Sequence, residues 1–141
     1  MNEDSPLFDC LCFQTRLAAR RITAFYEARL APHGLTITQL GLLVEIARKR
    51  NPSMGELAHV VEQDPSSLSR TLRVLEADGL IEIAQDPDNR RLRRVRLSAN
   101  GKAKLRAGGE AWQAAQSEAG VIVPEATVRR LLSATEKLPI G

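Results

Sequence analysis

Apolar side chains recur along this chain at steps of three and four over most of its length. They switch to alternation once, between Ile81 and Leu97. The helical step predicts a first helix from about Leu7 to Leu30, with Leu11, Thr15, Ala18, Ile22 and Phe25 along one stripe. Ala31-Pro-His-Gly34 stops it. Thr36 and Gln39 have capping-box spacing and open a second helix through Leu40, Leu43, Ile46 and Ala47. That helix ends in Arg48-Lys-Arg50, where cations suit the negative end of the helix dipole.

Ser53 and Glu56 repeat the capping spacing and open a short helix through Leu57, Val60 and Val61. Asp64-Pro65 follows at once, an acceptor at the N-cap and a proline at the first helical position. The helix begun there turns Leu68, Leu72 and Leu75 inward and stops before Gly79. Two short helices so closely spaced predict a helix-turn-helix. The alternating stretch puts Ile81 and Ile83 on one face, and Val95 and Leu97 likewise, around the turn-forming Gln85-Asp-Pro-Asp-Asn-Arg-Arg91, which predicts a β-hairpin. Ser98 caps a long helix from about Asn100 to Ala119, and a last helix runs from about Pro124 to Leu138. The expected fold class is mainly α, a winged helix-turn-helix flanked by terminal helices. The expected divisions are 1–34, 35–99 and 100–141.

Charge sharpens this picture. The net charge is only +3, but Arg90 to Arg106 holds eight basic residues and no acidic one. Such a block suits a polyanion, although a basic run is commonly just a solvated face. The face of the second short helix helps to decide. With the leucines inward, Ser66, Ser67, Ser69, Arg70 and Arg73 face outward, and no Glu or Lys occurs between Pro65 and Leu75. Short hydroxyls allow close approach to a duplex and can donate to phosphate or base edges, and arginine can bridge guanine O6 and N7. At the hairpin tip, Arg90 and Arg91 are placed to reach a narrow minor groove, with Asp88 positioned to brace Arg90. Arg94 and Arg96, on the outer strand face, are expected near phosphate. The expected partner is therefore double-stranded DNA. A winged helix serving as a protein-interaction module is the rival, and the basic wing speaks against it.

The remaining composition mainly excludes. His33 and His59 stand alone, the two cysteines lack zinc-ligand spacing, and no catalytic constellation or phosphate loop occurs, so no enzyme, cofactor or metal is expected. No run is long enough to span a bilayer, and Met1-Asn-Glu-Asp-Ser-Pro6 is unlike a signal peptide, so a cytoplasmic protein at the nucleoid is expected.

"LTITQLGLL", "DPSSLSRTLRVLEADGLI" and "DPDNRRLRRVRLSANG", in this order and spacing, resemble the MarR family of bacterial transcription factors from about Cys12 to Gly109. The resemblance implies an obligate homodimer of interlocked terminal helices, each chain offering one winged helix to a palindromic operator. It implies repression, recognition by Ser66, Ser67, Ser69 and Arg70, and a wing-tip role for Arg90. Leu7, Phe8, Leu11, Val128, Leu131, Leu132 and Leu138 would then be buried across a two-fold axis.

"DCLCFQTRLAARRITAFYE" is further similar to the organic-hydroperoxide-sensing branch of that family. In that branch the cysteine at Cys12 is the sensor, bonded by two tyrosines of the partner chain. Tyr26 matches one of them, Ile37 replaces the other, and the second, C-terminal cysteine of the branch is absent. Cys12 and Tyr26 are fourteen residues apart, which is ~21 Å along one helix. They can meet only across a dimer. Cys10, two residues from Cys12 on the expected first helix, points to nearly the opposite side, against a disulfide between the two, while a disulfide to the partner chain stays open. Both cysteines as small buried hydrophobes is the plainer alternative. A small aromatic or anionic inducer is the other, with Arg16, Arg20 and Arg21 as candidate contacts.

Overall fold

The computed structural model describes residues 3–61 and 64–140. Helix α1 spans Leu11–Leu30 and runs into a 3₁₀ turn at Ala31–His33. Helices α2 (Ile37–Lys49), α3 (Met54–Val61) and α4 (Pro65–Ala77) follow, then strands β1 (Ile81–Gln85) and β2 (Arg93–Leu97). The long helix α5 (Ala99–Ile122) and helix α6 (Glu125–Thr135) complete the chain. The expected side-chain placement of Val60 and Val61 lies outside the described residues.

The caps explain most of these boundaries. Thr36 and Gln39 form the reciprocal box at the start of α2. Ser53 Oγ accepts from Glu56 N at the start of α3, and the Asp64 carboxylate accepts from the Ser66 and Ser67 amides at the start of α4. Helix α4 ends where Gly79 adopts φ +72°, a left-handed conformation open to glycine at no steric cost. Leu80 N then bonds back to Leu75 O at 2.9 Å.

The ends of the chain depart from expectation. Helix α1 starts at Leu11, not Leu7, because residues 5–10 form turns in which Phe8 N donates to Ser5 O and Cys10 N to Leu7 O. Helix α5 runs on to Ile122, and α6 is confined to Glu125–Thr135 with Pro124 as its N-cap.

The core belongs to the middle of the chain. Leu40, Leu42, Leu43 and Ile46 of α2 pack with Leu57, with Leu68, Leu72 and Leu75 of α4, and with Ile81 and Val95 of the hairpin. From α1 only Leu30 joins it, and α6 contributes no buried residue. Antiparallel β1 and β2 pair in the register Ile81↔Leu97, Ile83↔Val95 and Gln85↔Arg93. The segment before α3 extends this ribbon, since Val95 N donates to Pro52 O at 2.9 Å and Ser53 bridges Arg94.

Only Ser98 separates β2 from α5. Its hydroxyl accepts from Gly101 N at 2.9 Å and donates to Gly79 O at 2.6 Å. This tie brings α5 against the hairpin so closely that a Cβ on Gly101 would lie 1.9 Å from Leu80 O. Farther along, Arg29 of α1 makes a bidentate pair with Glu118 of α5 and lies over the Phe25 ring. Lys104 Nζ donates to His33 O.

Candidate nucleic-acid interface

Burial of Leu68, Leu72 and Leu75 at 2% exposure or less fixes the rotation of α4. Ser66, Arg70 and Arg73 are exposed as a result, and Ser67 and Ser69 are half-buried. The hydroxyls near the helix start are already engaged. Ser66 Oγ donates to Asp64 Oδ1 at 2.6 Å and Ser67 Oγ donates to Asp64 Oδ2 at 2.7 Å. Asp64 Oδ1 also accepts from Ser66 N and Ser67 N. Together these bonds hold the Asp64 carboxyl far below the ordinary carboxylate range, the Ser66 hydroxyl contributing most. Arg70 Nη2 in turn donates to Ser67 Oγ at 3.2 Å, so carboxylate, serine and arginine form one chain of contacts along the outer face.

The wing is built on a different carboxylate from the one expected. Asp86 is buried, and its Oδ1 accepts from the backbone amides of Asp88 and Asn89 at 2.8 and 3.3 Å. Its Oδ2 accepts from Arg94 Nε at 2.5 Å. The Arg94 guanidinium holds the Asp86 carboxyl below its usual value, with the turn amides adding to the effect. Asp88, expected to brace Arg90, is exposed. Among the described residues no hydrogen bond or ion pair joins the two side chains. Its amide serves the turn, and the carboxylate–arginine brace of this hairpin joins Asp86 to Arg94.

Arg94 differs from expectation as well. Its side chain is directed to Asp86 and to Asn51 O at 3.1 Å rather than to solvent. Arg96 is exposed but paired with Glu82, its partner in the strand register. The tip arginines are placed as expected. Arg90 and Arg91 are exposed beyond the strand ends, with Arg91 N donating to Asn89 Oδ1. Sequence reasoning missed Asp86, although Asp86-Pro-Asp-Asn89 carries the signal of an aspartate folding the chain back on its own side chain.

At the other end of the molecule, Cys12 is exposed in the first turn of α1. Cys10 is the N-cap, half-buried and extended (φ −72°, ψ 120°), so it lies outside the helix. The reasoning that set the two thiols on opposite helix faces therefore does not apply. Tyr26 is half-buried, and its hydroxyl donates to the Gln116 side chain of α5 in the same chain. Arg16, Arg20 and Arg21 are exposed, and Arg21 borders a groove of about 520 Å³ between α1, α5 and α6. No group of His, Cys, Asp and Glu able to hold a metal ion occurs among the described residues. No single described helix is long and apolar enough to cross a membrane.

A helix-turn-helix whose second helix shows serine and arginine, beside a hairpin tipped with arginine, defines a winged-helix regulator of the DNA-binding class. Residues 33–92 match the model of the MarR family. The chain is similar to the HTH-type transcriptional regulator BilQ of Clostridioides difficile, 32% identical over 81 residues. That match covers 57% of this chain and 55% of BilQ, so it spans about half the length of this curated relative.

Among solved structures, the M. tuberculosis transcriptional regulator MosR in complex with DNA is 33% identical, with a TM-score of 0.78. That alignment covers 89% of this chain and 92% of MosR. A probable transcriptional regulator from Pseudomonas aeruginosa is 29% identical with a TM-score of 0.81, covering 91% and 98% of the two chains. A variant of E. coli MarR complexed with operator DNA, at 21% identity and a TM-score of 0.81 over 92% of this chain and 94% of that one, shares the fold. The chain belongs to the MarR family, whose members are DNA-binding transcriptional regulators and not enzymes.

Proposed function

We propose that this chain represses transcription in the cytoplasm by binding a palindromic operator at the nucleoid as a homodimer. In this reading residues 35–99 read the duplex, and 1–34 and 100–141 join the two copies. Residues on α4 enter the major groove, while Arg90 and Arg91 approach the minor groove on either side. The observation that carries the reading is the coincidence, on one winged helix, of the outward Ser66–Arg70–Arg73 face with the exposed arginine tip. Dimerisation is supported by unburied apolar side chains on the terminal segments. Val121 and Ile122 are 84% and 72% exposed, and Leu11, Leu131, Leu132 and Leu138 are exposed as well.

Band shifts with a duplex from the regulator's own promoter test this directly. A complex with two chains per duplex is expected, losing affinity steeply between 50 and 200 mM salt, by about 10³-fold or more if six or more phosphates are contacted. A sequence-independent, salt-insensitive interaction, or a single chain per duplex, would refute it. Stable capture of a protein partner with no attraction to duplexes would instead favour the interaction-module reading.

A second reading concerns the signal. Cys12 is exposed and so open to attack. An organic hydroperoxide would oxidise its thiolate to sulfenic acid, releasing an alcohol, and a second thiol would then form a disulfide with loss of water. Tyr26 of the other copy is the expected neighbour. Peroxide treatment is expected to release operator from the wild type and not from Cys12→Ser. Release that persists in Cys12→Ser but ends in Cys10→Ser would move the sensor to Cys10. Release by an aromatic carboxylate with both thiols replaced would favour a small-molecule inducer, with Arg16, Arg20 and Arg21 as contacts.

A further inference from the structure

A serine hydroxyl has one proton to give and two lone pairs to receive with. On α4 both protons nearest the helix start are committed, Ser66 Oγ to Asp64 Oδ1 and Ser67 Oγ to Asp64 Oδ2. Ser67 also receives from Arg70. What the exposed Ser66 hydroxyl offers outward is therefore two lone pairs and no donor. The carboxylate that accepts these protons is ionised throughout the pH range in which proteins work.

An outward acceptor is selective in a way that a free hydroxyl is not. Phosphate oxygens, guanine O6 and N7, adenine N7 and thymine O4 are all acceptors, and none can bond to it. In the major groove the complementary groups are the exocyclic amines, adenine N6 and cytosine N4. We infer that Asp64 is a specificity-determining positioning residue: by fixing both serine protons inward, it makes Ser66 select a base bearing an exocyclic amine. Asp64 touches neither base nor phosphate in this scheme and acts through Ser66. The inference rests on the proposed reading of DNA by α4.

Selection of bound duplexes from a pool randomised across the half-sites tests it, with the full-length wild type, Asp64→Gly and Ser66→Ala compared. Glycine is tolerated at an N-cap, so α4 keeps its start, yet it carries no side-chain acceptor and frees both serine protons. The wild type is expected to prefer adenine or cytosine at one position per half-site, by about three- to tenfold, the range of one hydrogen bond. Ser66→Ala should lose the preference at that position alone. Asp64→Gly should relax it or turn it toward thymine or guanine, with the rest of the site unchanged.

Identical base profiles for the three proteins would overturn the inference, as would an Asp64→Gly variant that loses affinity equally on every sequence. Either result leaves DNA binding itself standing. A wild type that retains no duplex from the pool removes the proposed function, and this inference with it.

Discussion

At the turn of the hairpin one carboxylate accepts from two backbone amides and a guanidinium, and the whole tip is arranged around it. Removing Asp86 frees Arg94 and the turn amides of Asp88 and Asn89 together. Removing Asp88 takes away no described side-chain bond. Asp86→Ala is accordingly expected to lower Tm more than Asp88→Ala, and to weaken operator binding by loosening the setting of Arg90.

The pH dependence follows from the same contacts. The folded-state carboxyl of Asp86 lies below its ordinary value of 3.8. Its contribution is therefore complete above that value and is lost as the pH falls through the lower folded value. The Tm difference between wild type and Asp86→Asn should shrink as the pH drops below 3.8. A difference that stays constant would mean that the ionised form is not what matters. Gly101→Ala tests a contact of another kind. Its Cβ would lie 1.9 Å from a backbone oxygen, so overpacking of about 1–3 kcal/mol or more is expected in denaturant unfolding.

Elements were legible where a cap and a periodic apolar face agreed. Helices α2 and α4 have both, and their starts fall at Thr36 and Asp64 as read from the chain. Leu72, fully buried in α4, should cost about 2–5 kcal/mol on replacement by alanine, measured by denaturant titration. The half-exposed Val74 of the same helix should cost little. Helix α1 lacks a capping side chain, so nothing local marked its start and the turns of residues 5–10 were read as helix.

The wing was legible as a hairpin but not as a set of ion pairs. Spacing along the chain favoured Asp88 with Arg90, whereas the pairs that form lie across the ribbon. Arg96 faces Glu82 in the register, and Arg94 reaches Asp86 beyond the end of β1. Register depends on where the turn closes, and Asp86 determines that from a buried position. At the α4 face the sequence supplied the residues without the direction of their protons.

At the scale of the whole molecule, the winged helix is closed and the terminal segments are not. Leu131→Asp combined with Leu132→Asp should yield a single subunit in sedimentation velocity and weaken operator binding, while far-ultraviolet circular dichroism still reports helix. Two copies joined through their ends can read one duplex face only if their α4 helices are about one turn, ~34–36 Å, apart. Lengthening the spacer between half-sites by about five base pairs should therefore abolish the two-copy complex, and a further five should restore part of it.

The single-residue connection at Ser98 has a mechanical corollary. Helix α5 is 24 residues long, a rod of about 36 Å, and it continues into the arginine-tipped ribbon with one clamped residue between them. With no slack at that joint, tilting the far end of the rod swings the ribbon like the short arm of a lever. A stimulus felt along its length would thus pass through the joint to the ribbon and to the core side chains Ile81 and Val95 that the ribbon carries.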